Sequence, residues 1–190
     1  MSDRLVALSL SEFAHRVSDR SPLPGSGCVA AAVGALGAAL GIMVLRSAPC
    51  EGEESRLVAL RDALLDRVDR DATAYRAFLD ARRGGGDTKA ALEEATRVPS
   101  EIAELSLTAL EGLAGSVHDV RPALACECWT AAQTLVAAVE SATTTARANL
   151  PPDELGRGGE TGSRAAELDA HRRRAHELLA DVDRALGARA

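Results

Sequence analysis

Apolar residues recur at three- and four-residue spacing along most of the chain, the period of a packed helix rather than of a strand. The longest stripe is Leu57, Leu60, Leu64, Val68, Ala72, Tyr75 and Leu79, which predicts a helix over about 53–83 with Arg and Asp on its other faces. Gly84-Gly85-Gly86 ends it. A shorter helix is expected over 10–17, with Ser9 or Ser11 as its cap and Phe13 and Val17 on one face. Asp87 or Thr88 caps another through about Thr96, and Pro99 opens a separate helix that runs to Gly115. A long helix over 124–150 stops at Pro151-Pro152, and a polar, Gly-rich loop over 153–163 leads into a last helix over about 164–187. With no sustained strand alternation, the expected fold is all-α: a single domain over 1–190, built as a bundle of long helices joined by short turns.

The stretch "SPLPGSGCVAAAVGALGAALGIMVL", from Ser21 to Leu45, breaks the amphipathic pattern. Its prolines end the preceding helix, and from Gly27 to about Ala48 it predicts a helix without one charge, ended by Pro49 and Gly52. The length suits a membrane span. However, much of the run is Ala and Gly, no second span exists, and no aromatic belt flanks it. The better reading is the centre of a helical bundle, apolar on every side because other helices surround it. Gly34, Gly37 and Gly41, with Ala30 and Ala38, repeat small residues at helical spacing, which lets backbones pack closely within the chain or across a two-fold axis. A helix wrapped on every side favours a homodimer.

Composition narrows the class. Apolar residues make up 46% and charged ones 26% of 190 residues, as in an ordinary globular domain, and only four residues are aromatic, so Ala, Leu and Val must fill the core. A net charge of −6 argues against nucleic acid as a partner. No secretory pattern opens the chain, so a cytoplasmic, reduced setting is expected and Cys28, Cys50, Cys126 and Cys128 read as thiols. The Cys126-Glu127-Cys128 spacing is too tight for a zinc site, and no metal is expected.

The mouth of the uncharged helix is chemically distinct. Gly25-Ser26-Gly27 leaves backbone N–H groups at a helix N-terminus, which favours negative charge; a plain Pro-Gly turn with a cap explains the same residues. Here the chain resembles the cyclodeaminase/cyclohydrolase family, the C-terminal domain of formiminotransferase-cyclodeaminase. The residues that carry the resemblance are "SPLPGSGCVAAAVGALGAALGIMV", Asp71-Ala72 with Tyr75, Val98-Pro99 with Ile102-Ala103-Glu104-Leu105, and Asn149-Leu150. They span about 8–150.

The resemblance implies an all-helical homodimer that acts on a tetrahydrofolate one-carbon unit. Either ammonia leaves the 5-formimidoyl group to form the 5,10-methenyl species, or that species is hydrated. No metal or redox cofactor is implied. Carried over position by position, it points to Pro24, Gly25, Ser26, Gly27, Cys28 and Asn149 as substrate-binding residues, and to Glu127 and Cys126 where the family has Asp and Ser. This chain departs from the family pattern in Gly25-Ser26-Gly27-Cys28, which stands where the family has Gly-Gly-Gly-Ser, in Thr145, which replaces an Asn, and in the missing Lys-rich segment.

Glu127 is the first candidate for proton transfer, or else a solvated helix residue. Asp71, beside inward positions, is catalytic or a structural ion-pair partner. Arg121 would bind the glutamyl carboxylates of a folate or pair with Glu127. His118 suits a surface or capping role better than catalysis, and no histidine is placed to activate Cys28 or Cys126. Two other outcomes stay open: a relative acting on a non-folate cyclic imine or amidine, and a ligand-binding dimer without catalysis.

Overall fold

The computed structural model describes residues 4–47, 52–151 and 164–187. Six α-helices carry them: α1 (Leu10–Val17), α2 (Ser26–Leu45), α3 (Glu53–Gly84), α4 (Thr88–Gly115), α5 (Ala125–Asn149) and α6 (Arg164–Gly187). Single 3₁₀ turns lie at Leu5–Ala7, Val117–Asp119 and Pro122–Leu124. Pro49, Cys50 and the expected loop over 153–163 lie outside the described residues.

Local chemistry sets most of the boundaries. Ser9 and Glu12 close α1 with a capping box, the Ser9 hydroxyl accepting from the Glu12 N–H while Glu12 accepts from the Ser9 N–H. Gly52 and Gly85 take positive φ on either side of α3, a conformation that costs a side-chain-bearing residue. Asp87 caps α4 by accepting the Ala90 N–H at 3.0 Å.

One expected boundary is absent. The two helices anticipated on either side of Pro99 are one continuous helix, with Pro99 buried inside α4. Proline at this position removes the N–H that would bond the Ala95 carbonyl. The Asn149 side-chain amide donates to that carbonyl at 2.8 Å, so a side chain from α5 replaces the missing backbone donor.

Helix α2 packs against α3, α4 and α5. The glycine seam closes within the chain: a Cβ at Gly34 would meet Ser106 Oγ at 2.7 Å, and one at Gly37 would meet Leu135 Cγ at 2.9 Å. Leu45, Leu57, Leu64, Ile102, Leu110, Leu113 and Leu135 fill the centre around it. The apolar length of α2 is thus mostly accounted for by burial among other helices. It is not wrapped completely. Leu36 is 61% exposed and Met43 39%, and with the half-buried Val29, Val33 and Leu40 they leave an apolar stripe uncovered. The N-terminal segment borders that stripe, pinned to α3 because Asp69 accepts the Leu5 N–H at 2.5 Å and Arg4 Nε at 3.0 Å.

Candidate active site at the mouth of α2

The start of α2 has a carboxylate where its own cap residue offers none. Gly25, the N-cap, makes no side-chain cap bond. Asp71, from the middle of α3, lies there instead: the Cys28 thiol donates to Asp71 Oδ2 at 3.3 Å, and the Cys28 N–H also bonds the carboxylate. The helix dipole favours negative charge at this end. Burial outweighs it, so the Asp71 carboxyl is held above the ordinary carboxylate range, with both Cys28 bonds pulling the other way. The same burial, reinforced by Asp71, pushes the Cys28 thiol up to about 12, too high for a thiolate nucleophile near neutrality.

Contact between the two helices here requires glycine. A Cβ on Gly27 would overlap all three atoms of the Asp71 carboxylate group. On the solvent side, Asp71 lines a cavity of about 270 Å³ with Leu23, Gly25, Ser26, Tyr75, Thr145 and Asn149. This is just under the ~300–1,000 Å³ usual for small-molecule pockets. Thr145 and Ser26 form its polar wall: their hydroxyl oxygens are 2.8 Å apart, and Thr145 also lies 2.8 Å from the Ser141 carbonyl. When Thr145 donates to that carbonyl, Ser26 donates to Thr145 and keeps its lone pairs for a bound donor. Asn149 has one amide N–H taken by Ala95.

The expected site residues do not all meet. Gly25, Ser26, Gly27, Asp71 and Asn149 line this cavity. Pro24 is buried and faces a neighbouring cleft, and Cys28 is fully buried behind Asp71, so neither can touch a molecule in the cavity. Glu127, Cys126 and Arg121 lie elsewhere: Glu127 is in the first turn of α5 and Asn149 ends the same helix. At 1.5 Å per residue, that separation is about 33 Å. Within one chain, Arg121 can bind no tail of a molecule in this cavity, and Glu127 can move no proton there. Both Cys126 and Arg121 are exposed, while Glu127 Oε2 is buried without a hydrogen-bond partner. Among the described residues, no group of three or more His, Cys, Asp or Glu is placed to hold a metal ion.

A family model described as formiminotransferase-cyclodeaminase matches residues 9–153, which include the α2 mouth, Asp71 and Asn149. The chain belongs to that family. Among solved structures, formiminotetrahydrofolate cyclodeaminase from Thermotoga maritima is 26% identical and superposes with a TM-score of 0.83, over 96% of this chain and 97% of that one. No curated protein matches by sequence.

In this family member the wall residue that sequence reasoning missed is Thr145, noted only as a departure from the family pattern. Its signal was available: Thr145 and Asn149 are four apart on one helix and therefore share a face. Tyr75, four residues after Asp71 on α3, lines the cavity by the same logic.

Proposed function

We propose that this protein is a folate-dependent one-carbon enzyme, a formimidoyltetrahydrofolate cyclodeaminase or a methenyltetrahydrofolate cyclohydrolase. The observation that carries the reading is a buried carboxyl of raised proton affinity at the mouth of α2, in a chain of the cyclodeaminase family. In cyclodeamination, N10 of the substrate attacks the formimidoyl carbon and closes a five-membered ring. Asp71 as carboxylate takes the N10 proton, then returns it to the amino group as the carbon–nitrogen bond breaks and ammonia leaves. No proton is consumed overall from the protonated amidine, and the carboxylate is left facing the methenyl cation. Raised proton affinity suits a group that must both accept and donate near neutrality. In the hydrolytic direction Asp71 accepts a proton from water attacking that cation. Ser26 and Thr145 orient the substrate through their hydroxyls. Asn149 reaches it through the part of its amide not taken by Ala95.

The test is direct: pure protein is incubated with 5-formimidoyl- and with 5,10-methenyltetrahydrofolate, and the methenyl absorbance is followed as it grows or decays. Turnover of one of them is expected. A rate no greater than buffer with both overturns the folate reading and leaves a relative that acts on another cyclic amidine.

We further propose a homodimer, cytoplasmic, formed through the uncovered stripe of α2. Leu36 lies midway along this helix, and an apolar groove of about 290 Å³ runs from it to Leu10 and Phe13. A second copy, packed antiparallel about Leu36, covers both. Because α2 and α5 run in opposite directions, with Ser26 beside Thr145 and Gly37 beside Leu135, the start of α5 accompanies the end of α2. Such a two-fold brings the partner's α5 start, which carries Cys126 and Glu127, towards the first copy's mouth. This is the arrangement in which Glu127 and Arg121 regain a role in the site. Leu36→Arg should convert a dimeric mass to a monomeric one in light scattering, with helical content retained. An unchanged dimer in that variant would show that this face is not the interface.

A further inference from the structure

We propose that the cleft on the other side of the Leu23–Pro24 turn binds a small molecule through two or more carboxylates. This cleft, about 400 Å³, shares Leu23 with the candidate active site and uses the opposite side of the same turns of α3. Asp71 and Tyr75 face the first cavity, whereas Asp69, Ala72, Thr73 and Arg76 face the second. Three guanidinium groups converge on it from separate elements: Arg4 from the N-terminal segment, Arg16 from α1 and Arg76 from α3.

Only one carboxylate lines the cleft, Asp69, and it is occupied by Arg4 Nε and the Leu5 N–H. Arg16 and Arg76 form no ion pair among the described residues. The carboxylate that acts on Arg16 is Glu12, whose Oε2 is held by Ser9 in the capping box. Elsewhere Arg46, Arg67, Arg97, Arg147 and Arg164 each have a carboxylate partner, whereas Arg20, Arg121, Arg172 and Arg173, like Arg16 and Arg76, form no ion pair among the described residues; what sets Arg16 and Arg76 apart is that two separate helices bring them to one cleft. Two unpaired guanidiniums held on different helices match two acid groups on one molecule, each taken by a planar fork of N–H donors.

The carboxylates have two possible sources. One is the acidic tail of a substrate whose ring occupies the Asp71 cavity, which rests on the folate reading; the other is a free di- or tricarboxylate, which does not.

Titration calorimetry on the full chain separates them. It uses 5-formyltetrahydrofolate, 5-formyltetrahydropteroate lacking the glutamate, and citrate, each with wild type and with Arg16→Gln/Arg76→Gln. Both arginines are exposed, so the double variant keeps its fold. The expected result is that the folate binds at least tenfold more weakly to the variant, while the pteroate is unaffected. Citrate lost in the variant, with neither pterin bound by wild type, upholds the cleft for a free polycarboxylate and defeats the folate reading. Wild type and variant binding all three alike, or wild type binding none, overturns the proposal.

Discussion

Asp71→Asn is expected to lower turnover by roughly 10²–10⁴-fold, the usual contribution of a positioned acid–base group, while making the protein more stable above neutral pH. The two effects have one cause. Burial raises the carboxyl's proton affinity in the folded chain above its unfolded value. A group shifted in that direction contributes stability below its unfolded pKa, and the contribution is lost as pH rises through the folded pKa. At pH 8 the wild type therefore holds a buried charge that folding disfavours. Asparagine removes the charge, keeps the shape, and still offers an oxygen to the Cys28 thiol. Thermal denaturation from pH 4 to 9 should show the melting temperature of the variant rising relative to wild type as pH increases. The wild-type pH–rate profile should have an acid limb displaced above the ordinary carboxylate range. If Asp71 only caps α2, the variant melts as predicted but turns over substrate at the wild-type rate. That outcome would remove it from the chemistry.

How much of this was legible beforehand depends on how far apart in sequence the deciding contacts lie. Five of the six helices follow from short-range signals such as the Leu57–Leu79 stripe, the Ser9 cap and the glycines around α3. Asp71 was readable as inward-facing from Val68 and Ala72 on the same helix. The continuity of α4 was not, because the group that makes Pro99 tolerable is Asn149, 54 residues from the Ala95 carbonyl it satisfies. Nor was the location of Glu127. Motif order along a chain says nothing about distance when one helix of 25 residues separates two motif pieces. Nor could periodicity tell which face of α2 the chain's own helices leave open, the narrow stripe at Leu36.

Gly27→Ala is expected to be nearly as damaging to activity as loss of Asp71, by about 100-fold or more, and to destabilise the protein as well. Within a helix, replacing Gly by Ala is ordinarily favourable by roughly 1 kcal/mol. Here the added methyl would occupy the volume of the Asp71 carboxylate, which the Cys28 thiol and N–H hold in place. Overpacking of this kind costs about 1–3 kcal/mol, enough to reverse the helix preference. The carboxylate must leave the mouth of α2, or α2 must move off α3; either displaces the group that the chemistry needs. Gly84→Ala at the end of α3, where nothing lies within 4 Å, is the matched control and should be neutral or slightly stabilising. The decisive comparison is a double-mutant cycle with Asp71→Ala, read by denaturant midpoint. Once the carboxylate is gone, Gly27→Ala should cost nothing and show the usual helix gain, giving a coupling well outside additivity. Strictly additive costs would mean that the methyl is opposed by the backbone of the turn rather than by Asp71, and the close packing of glycine on carboxylate would then not be what fixes this site.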